Sequence, residues 1–247
     1  MIHMIQITTG IEHLAELETP RNTHLILDPL DGKPRPLVLI CPGGGYRLIS
    51  VEDEGRAIAD WMHQLGYHAA VLAYQVLTIN PVDFLNGLEQ TMQHLRSLPY
   101  VSHIYVMGFS AGGHVAGLIS TAIDTRPDGM MLSYPVVSIA GECAHCGSRD
   151  IFLGTSGEKA EDYSIERLVD RATPPAFIWH TAADPVVPVE NSLTLARALS
   201  KNNIPFELHV FPEGGHALSI SGDVPHTHQW KNLAENWLKM QSEKHGS

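Results

Sequence analysis

The sequence has little of what marks several whole classes of protein. No apolar run approaches the roughly 18 residues of a membrane-spanning helix; the longest, Ala69–Tyr74, has six. Three cysteines in 247 residues are too few, and odd in number, for a disulfide scaffold. Basic side chains are scarce as well: 16 Lys and Arg stand against 27 Asp and Glu, a formal net charge of −11. That balance argues against binding to the phosphate backbone of nucleic acid or to an anionic membrane. Charged residues make up 17% against 44% hydrophobic, which excludes a disordered chain. Met1-Ile2-His3-Met4-Ile5 carries neither a basic n-region nor an apolar h-region, so no signal peptide is expected. There is no internal repeat, low-complexity tract or long linker. H-E-x-x-H, G-x-G-x-x-G and G-x-x-x-x-G-K-[ST] are all missing, which removes common metallohydrolase and nucleotide-binding motifs. These exclusions leave a cytoplasmic α/β protein that handles a small molecule, with homo-oligomerisation left open.

What is present is a regular alternation. Pro36–Cys41 is an almost continuous apolar run ending at Gly43-Gly44-Gly45, the pattern of a strand buried on both faces. Ser50 before Glu52, Asp53 and Glu54 reads as an N-cap with acids in the first turn. Ile58, Trp61, Met62 and Leu65 continue that helix to Gly66. Further strands are expected at Tyr67–Tyr74, His103–Phe109, Gly129–Pro135, Ala176–Thr181 and Phe206–Phe211. Helices are expected after Asn80-Pro81, over Ser110–Ala122, around Glu190–Ser200 and around Gln229–Met240. The first 35 residues, with Thr23–Leu27, should add one or two antiparallel edge strands. The pattern predicts a single α/β domain over residues 1–247, with a mostly parallel sheet and helices on both faces. Residues 137–174 interrupt it and read as a lid insertion, a candidate cover for an active site.

The chemistry concentrates at strand ends. Gly108-Phe109-Ser110-Ala111-Gly112 is a G-x-S-x-G sequence between an expected strand and an expected helix, where a sharp turn exposes the Ser hydroxyl. Asp184 follows the strand Ala176–Thr181, and His216 follows Phe206–Phe211 in Pro212-Glu213-Gly214-Gly215-His216. Three strands thus deliver a nucleophile, an acid and a base to one rim, in the chain order Ser, Asp, His. Among the 15 histidines, His180 lies within a strand and reads as buried structure, and His114 sits one turn into the nucleophile helix. An acyl-transfer site also needs N–H donors for the developing oxyanion. Ala111 supplies one, and Gly44 or Gly45 of Pro42-Gly43-Gly44-Gly45-Tyr46 the other. Tyr46 and Arg47 beside that loop, and Phe109 before the nucleophile, are candidate substrate contacts.

Together, Cys41-Pro42-Gly43-Gly44-Gly45-Tyr46, Gly108-Phe109-Ser110-Ala111-Gly112-Gly113-His114, Asp184-Pro185-Val186-Val187-Pro188 and Gly214-Gly215-His216 resemble the α/β-hydrolase superfamily. The resemblance is to the small esterases related to acetylxylan esterases and to the hormone-sensitive-lipase-like group. Where lipase-like relatives carry His-Gly-Gly-Gly, this chain has Pro42-Gly43-Gly44-Gly45, which is more similar to the acetyl-esterase branch. The resemblance implies an α/β-hydrolase fold with Ser110 as nucleophile, His216 as base and Asp184 as acid. It also implies a serine esterase acting on a small ester, with acetylated xylo-oligosaccharides and related sugars as the substrate class.

Cys143-Ala144-His145-Cys146 lies in the insertion, but no second ligand pair accompanies it, so a zinc site is not expected. No metal or organic cofactor is expected. The small size of the insertion, and about 35 residues ahead of the oxyanion strand, point to short acyl chains, acetyl first. A formamidase or small-amide hydrolase would use the same three residues. A non-catalytic binding protein on this fold would be expected to lack one of them.

Overall fold

Side-chain alternation along the strands decides which residues face which layer. The computed structural model describes residues 5–245; Met1–Met4, on which the expectation about a signal peptide largely rests, lie outside them. The strands are β1 (Gln6–Thr9), β2 (His24–Asp28), β3 (Arg35–Cys41), β4 (His68–Ala73), β5 (Val101–Phe109), β6 (Gly129–Ser133), β7 (Ala176–Thr181) and β8 (Phe206–Phe211). They form one sheet in the order β1-β2-β4-β3-β5-β6-β7-β8. From β4 through β3 to β8 neighbours run parallel. At the other edge, β2 is antiparallel to β4 and β1 is parallel to β2, so both run against the rest of the sheet.

Along β3, Leu37, Leu39 and Cys41 face a core shared with Leu88 and Met92 of α2 (Pro81–Ser97), Val115 and Leu118 of α3 (Ala111–Thr121) and Leu195 of α6 (Glu190–Lys201). Val38 and Ile40 face the opposite core, with Ile58 and Met62 of α1 (Ala57–Gln64) and Trp237 and Leu238 of α7 (Trp230–His245). A period of two thus feeds two apolar layers, as strands covered on both faces require. Each fully buried Leu or Ile contributes about 1.5–3 kcal/mol. Burial in these layers holds the sheet together; all three cysteines are free.

Local signals act as expected at α2, where the Asn80 side chain accepts from the N–H groups of Val82 and Asp83 and Pro81 opens the helix. The start of α1 differs. Ser50 makes no side-chain cap bond, and Val51–Arg56 forms a π-helical turn ahead of α1. Within that turn Glu54 points inward and is buried at 3% exposure.

The insertion is built into the fold. Its helices α4 (Cys146–Leu153) and α5 (Ile165–Leu168) bury Phe152 and Ile165 against the α2 and α3 layer. Phe152 stacks near Tyr46, Phe84 and Tyr163. Buried Asn191 of α6 accepts from the N–H groups of Val137 and Ser138 and donates to the Cys143 carbonyl, stapling the start of the insertion to the sheet's helical layer.

Candidate active site

β5 ends at Phe109, and the chain turns into α3 through Ser110 at φ 52°, ψ −120°. A non-glycine residue there is strained, and it survives only because the surroundings impose it. They do so through close packing. A Cβ on Gly108 would collide with the Gly112 carbonyl oxygen, and one on Gly112 with the Cys41 carbonyl oxygen. The motif glycines are therefore steric necessities of the turn. The Ser110 N–H donates to the Ser133 carbonyl at 3.1 Å, anchoring the turn to the end of β6.

The loops after β7 and β8 meet this turn. His216 Nε2 lies 2.8 Å from Ser110 Oγ, and its Nδ1 lies 2.7 Å from Asp184 Oδ2. An ionised carboxylate only accepts, so Nδ1 carries the ring proton and Nε2 accepts the Ser110 O–H. Gly214, at φ 119°, turns the His loop, and the Thr181 hydroxyl ties that loop to the end of β7 through the Gly214 carbonyl at 2.8 Å.

The Asp184 side chain is completely covered, whereas His216 keeps 13% of its side chain exposed. Burial acts to raise the Asp184 carboxyl, but hydrogen bonds from His180, His216 and the N–H groups of Val186 and Val187 outweigh it. They hold the group well below the usual carboxylate range. The two backbone donors reach Oδ1 at 2.9 and 3.0 Å. His180 Nε2 lies 3.4 Å from Oδ2, the same oxygen that His216 uses. His180 Nε2 also lies 3.0 Å from the Val187 carbonyl and Nδ1 2.8 Å from Ser192 Oγ. A carbonyl can only accept, so Nε2–H points at both Val187 and Asp184. The buried strand histidine is thus a partner of the acid.

The Gly43-Gly44-Gly45 loop, the expected oxyanion loop, abuts Ser110: a Cβ on Gly43 would lie 3.0 Å from Ser110 Cβ. The Gly43 N–H is committed to Glu54 Oε2 at 2.7 Å. Among the described residues no acceptor meets the N–H of Gly44 or Gly45. Ala111, first in α3, has no intrahelical acceptor for its N–H by helix geometry. Gly44 has φ 134°, and a Cβ there would strike the Leu48 carbonyl; Gly45 has φ 62° and open space around it.

Two expected substrate contacts are corrected by burial. Tyr46 has no exposed surface; its ring packs among Tyr74, Phe84 and Phe152, and its hydroxyl lies 2.7 Å from His114 Nδ1. Phe109 is likewise fully buried, on the α1 and α7 side against Tyr134. Both residues adjoin reactive loops in sequence, but their side chains fill the core. Arg47 is exposed beside the oxyanion loop.

Four residues near the site escaped the sequence reading. Glu54 and Tyr134 form a buried pair at 2.6 Å, and His180 backs Asp184. The fourth is His145 of the insertion, whose Nδ1 is held by the N–H and hydroxyl of Ser148. Burial pushes His145 down and the charge of His216 adds to this, while Asp184 opposes it, so the insertion brings an imidazole within electrostatic reach of both. The signal for Glu54 was available: it stands four residues before Ile58 and eight before Met62, on their buried face. Cys143 and Cys146 are free thiols, and among the described residues no group of three or more His, Cys, Asp or Glu could hold a metal ion.

Residues 81–245 match the prolyl oligopeptidase family. Endo-1,4-beta-xylanase B of Butyrivibrio fibrisolvens is 36% identical over 217 residues, 78% of this chain and 34% of that protein. Acetylxylan esterase of Xylanibacter ruminicola is 31% identical over 211 residues, 80% of this chain and 44% of that protein. The chain therefore spans less than half the length of these two curated relatives. The acetyl ester-xyloside bifunctional hydrolase of Caldicellulosiruptor lactoaceticus superimposes with a TM-score of 0.81 at 36% identity, covering 88% of each chain.

Proposed function

The chain belongs to the prolyl oligopeptidase family of α/β hydrolases, and on that premise we propose that it is a serine carboxylic-ester hydrolase of short acyl, chiefly acetyl, esters. The observation that supports this most is the continuous hydrogen-bond chain from Ser110 through His216 to Asp184, at 2.8 and 2.7 Å. In this reading His216 takes the Ser110 proton as the hydroxyl attacks the acyl carbonyl, then returns it to the leaving alcohol. Asp184, kept ionised by its donors, fixes the imidazole tautomer and stabilises its charged form. The N–H groups of Ala111 and of Gly44 or Gly45 receive the oxyanion, each worth about 2.7–4 kcal/mol of transition-state stabilisation. Water, activated by the same imidazole, releases the acyl group.

The substrate side of the proposal rests on two supports. Tyr46, Tyr74, Phe84 and Phe152 fill the space behind the oxyanion loop, which leaves no room there for a long acyl channel. The activities of two relatives, an acetylxylan esterase and an acetyl ester-xyloside bifunctional hydrolase, favour an acetylated xylo-oligosaccharide or a related sugar. The segment 137–174 then forms one wall of the site, with His145 and exposed Arg47 as the groups facing the alcohol. We place the enzyme in the cytoplasm, where its three thiols stay reduced. Among the described residues no helix is long and apolar enough to cross a membrane.

Hydrolysis of p-nitrophenyl esters from acetyl to decanoyl, by wild type and Ser110→Ala, tests the reading. Acetyl should be preferred and Ser110→Ala inactive; undiminished turnover by the variant would falsify the nucleophile. A preference for octanoyl or longer sinks the short-acyl assignment, and faster cleavage of an aryl formamide moves the protein to the amide class. Acetate release from acetylated xylo-oligosaccharides then tests the sugar.

A further inference from the structure

Among the described residues, Glu54 is the one buried acid close to the site that the proposed mechanism leaves without a task. It is 3% exposed, and each of its oxygens accepts a short bond: Oε2 from the Gly43 N–H at 2.7 Å, Oε1 from the Tyr134 hydroxyl at 2.6 Å. The Tyr134 oxygen accepts in turn from the Ser219 N–H at 3.0 Å, three residues beyond His216. The Ser219 hydroxyl closes back onto the Asp53 carbonyl at 2.6 Å. The Tyr134 ring stands edge-on to the His216 ring, centroids 5.1 Å apart at 68°. Tyr134, Ala217 and Ser219 all have positive φ, at 39°, 59° and 46°. Such a run of strained non-glycine residues is held in place by its bonds.

We infer that Glu54 is a positioning residue of this site: through Tyr134 it ties the oxyanion loop to the loop that carries His216, and it lays a second negative charge beside that imidazole. The inference rests on the esterase reading for its kinetic consequences, though not for the linkage itself. Both carboxylate oxygens act as acceptors, so the ionised form fits the bonds; a proton on Oε2 would face the Gly43 N–H, and one on Oε1 would require the Tyr134 hydroxyl to turn from donor to acceptor. Burial pushes the Glu54 carboxyl up, with Asp53 adding to the push, and the bonds from Tyr134 and Gly43 and the charge of His216 offset this only in part, so the ionised form stands on the geometry of its two donors. The titratable groups facing His216 are Asp184, Glu54, Tyr134 and, from the insertion, His145. Tyr74 faces Glu54 from the end of β4. Two carboxylates therefore favour the imidazolium that forms as Ser110 attacks, one bonded to it and one behind the Tyr134 ring.

Three variants separate charge from tether: Glu54→Gln keeps the shape without the charge, Tyr134→Phe keeps the charge without the tether, and Glu54→Ala removes both. Each is assayed for kcat and KM on p-nitrophenyl acetate against pH, alongside its thermal unfolding. Misplacing a catalytic group by about 1 Å costs about 100-fold. Glu54→Ala is therefore expected to lose about 100-fold in kcat, and Tyr134→Phe and Glu54→Gln about 10-fold, with KM changed less than about threefold. Glu54→Gln should also move the acid limb of kcat/KM to lower pH, because the imidazolium loses a favourable charge. Tyr134→Phe should not move it down. A wild-type rate and profile for Glu54→Gln overturns the charge effect, and a wild-type kcat for Tyr134→Phe overturns the tether. Losses that only track the folded fraction overturn both. If no acyl ester is turned over by wild type, the functional reading fails. The ring signals of His216, followed by NMR against pH in wild type and Glu54→Gln, then decide the linkage; an unchanged titration overturns it.

Discussion

His114 and His216 both stand close to Ser110, one by sequence and one by contact, and the protein treats them in opposite ways. His114, four residues along α3, is completely buried. Its Nε2 lies 2.7 Å from the Tyr163 carbonyl and its Nδ1 2.7 Å from the Tyr46 hydroxyl, so its proton and its lone pair are both spent on neutral partners. Burial pushes its pKa down to about 4, slightly opposed by the bond to Tyr163. His216 arrives from the other end of the chain with an ionised carboxylate behind it and its lone pair aimed at a hydroxyl. Nearness to the nucleophile does not make a base; a carboxylate partner and an available lone pair do. The pair also shows how the Gly43–Tyr46 loop is held. On the α3 side Tyr46 is bound by neutral His114, and on the α1 side Gly43 is bound by the buried Glu54 carboxyl.

The contrast can be broken experimentally. The largest effect is expected from His216→Ala, with kcat on p-nitrophenyl acetate falling by about 10⁵–10⁶, whereas His114→Gln should stay within about threefold. Equal losses in the two variants would dissolve the distinction. Asp184→Asn comes next, at about 10⁴ in kcat, because an amide no longer enforces the Nδ1–H tautomer; a loss below tenfold would deny Asp184 its role.

His114 should show itself in stability instead. An unfolded chain protonates this imidazole near pH 6.5, while the folded protein resists to about pH 4. The unfolded state thus binds more protons in that window, and stability falls as pH is lowered through it, by up to about 3 kcal/mol. Urea titrations of wild type and His114→Gln at pH 7 and pH 4.5 should differ in slope with pH; parallel behaviour would refute a buried neutral His114. The smallest effect belongs to His180→Ala, which strands the Ser192 hydroxyl and the Val187 carbonyl. It is expected to cost about 1–3 kcal/mol in stability and less in rate than Asp184→Asn, as read by thermal unfolding and kcat together.

Much of this protein was legible in one dimension. Apolar runs such as Ala176–Thr181 and Phe206–Phe211 coincide with β7 and β8, because strand burial and turn sterics are local and write themselves into short windows. The same locality made the G-x-S-x-G turn, and the acid and base loops behind two strands, readable by their spacing. The edge was legible as antiparallel strands, though not the parallel pairing of β1 with β2. Side-chain roles set by partners far along the chain were not legible. Tyr46 and Phe109 looked like site residues from their neighbours in sequence, and packing turned both into the core. His180 was correctly placed in a strand, yet its bond to Asp184 depends on how the next loop folds back. Glu54 looked like one of three first-turn acids until Gly43, 11 residues before it, and Tyr134, 80 residues after it, supplied two buried donors. The sequence by itself determined the order of elements and placed Ser110, Asp184 and His216 at strand ends, since hydrophobic period and glycine sterics act over a few residues. Only the tertiary structure decided which histidine meets Ser110 and a carboxylate and which acid is buried, since hydrogen-bond partners meet only when the chain closes.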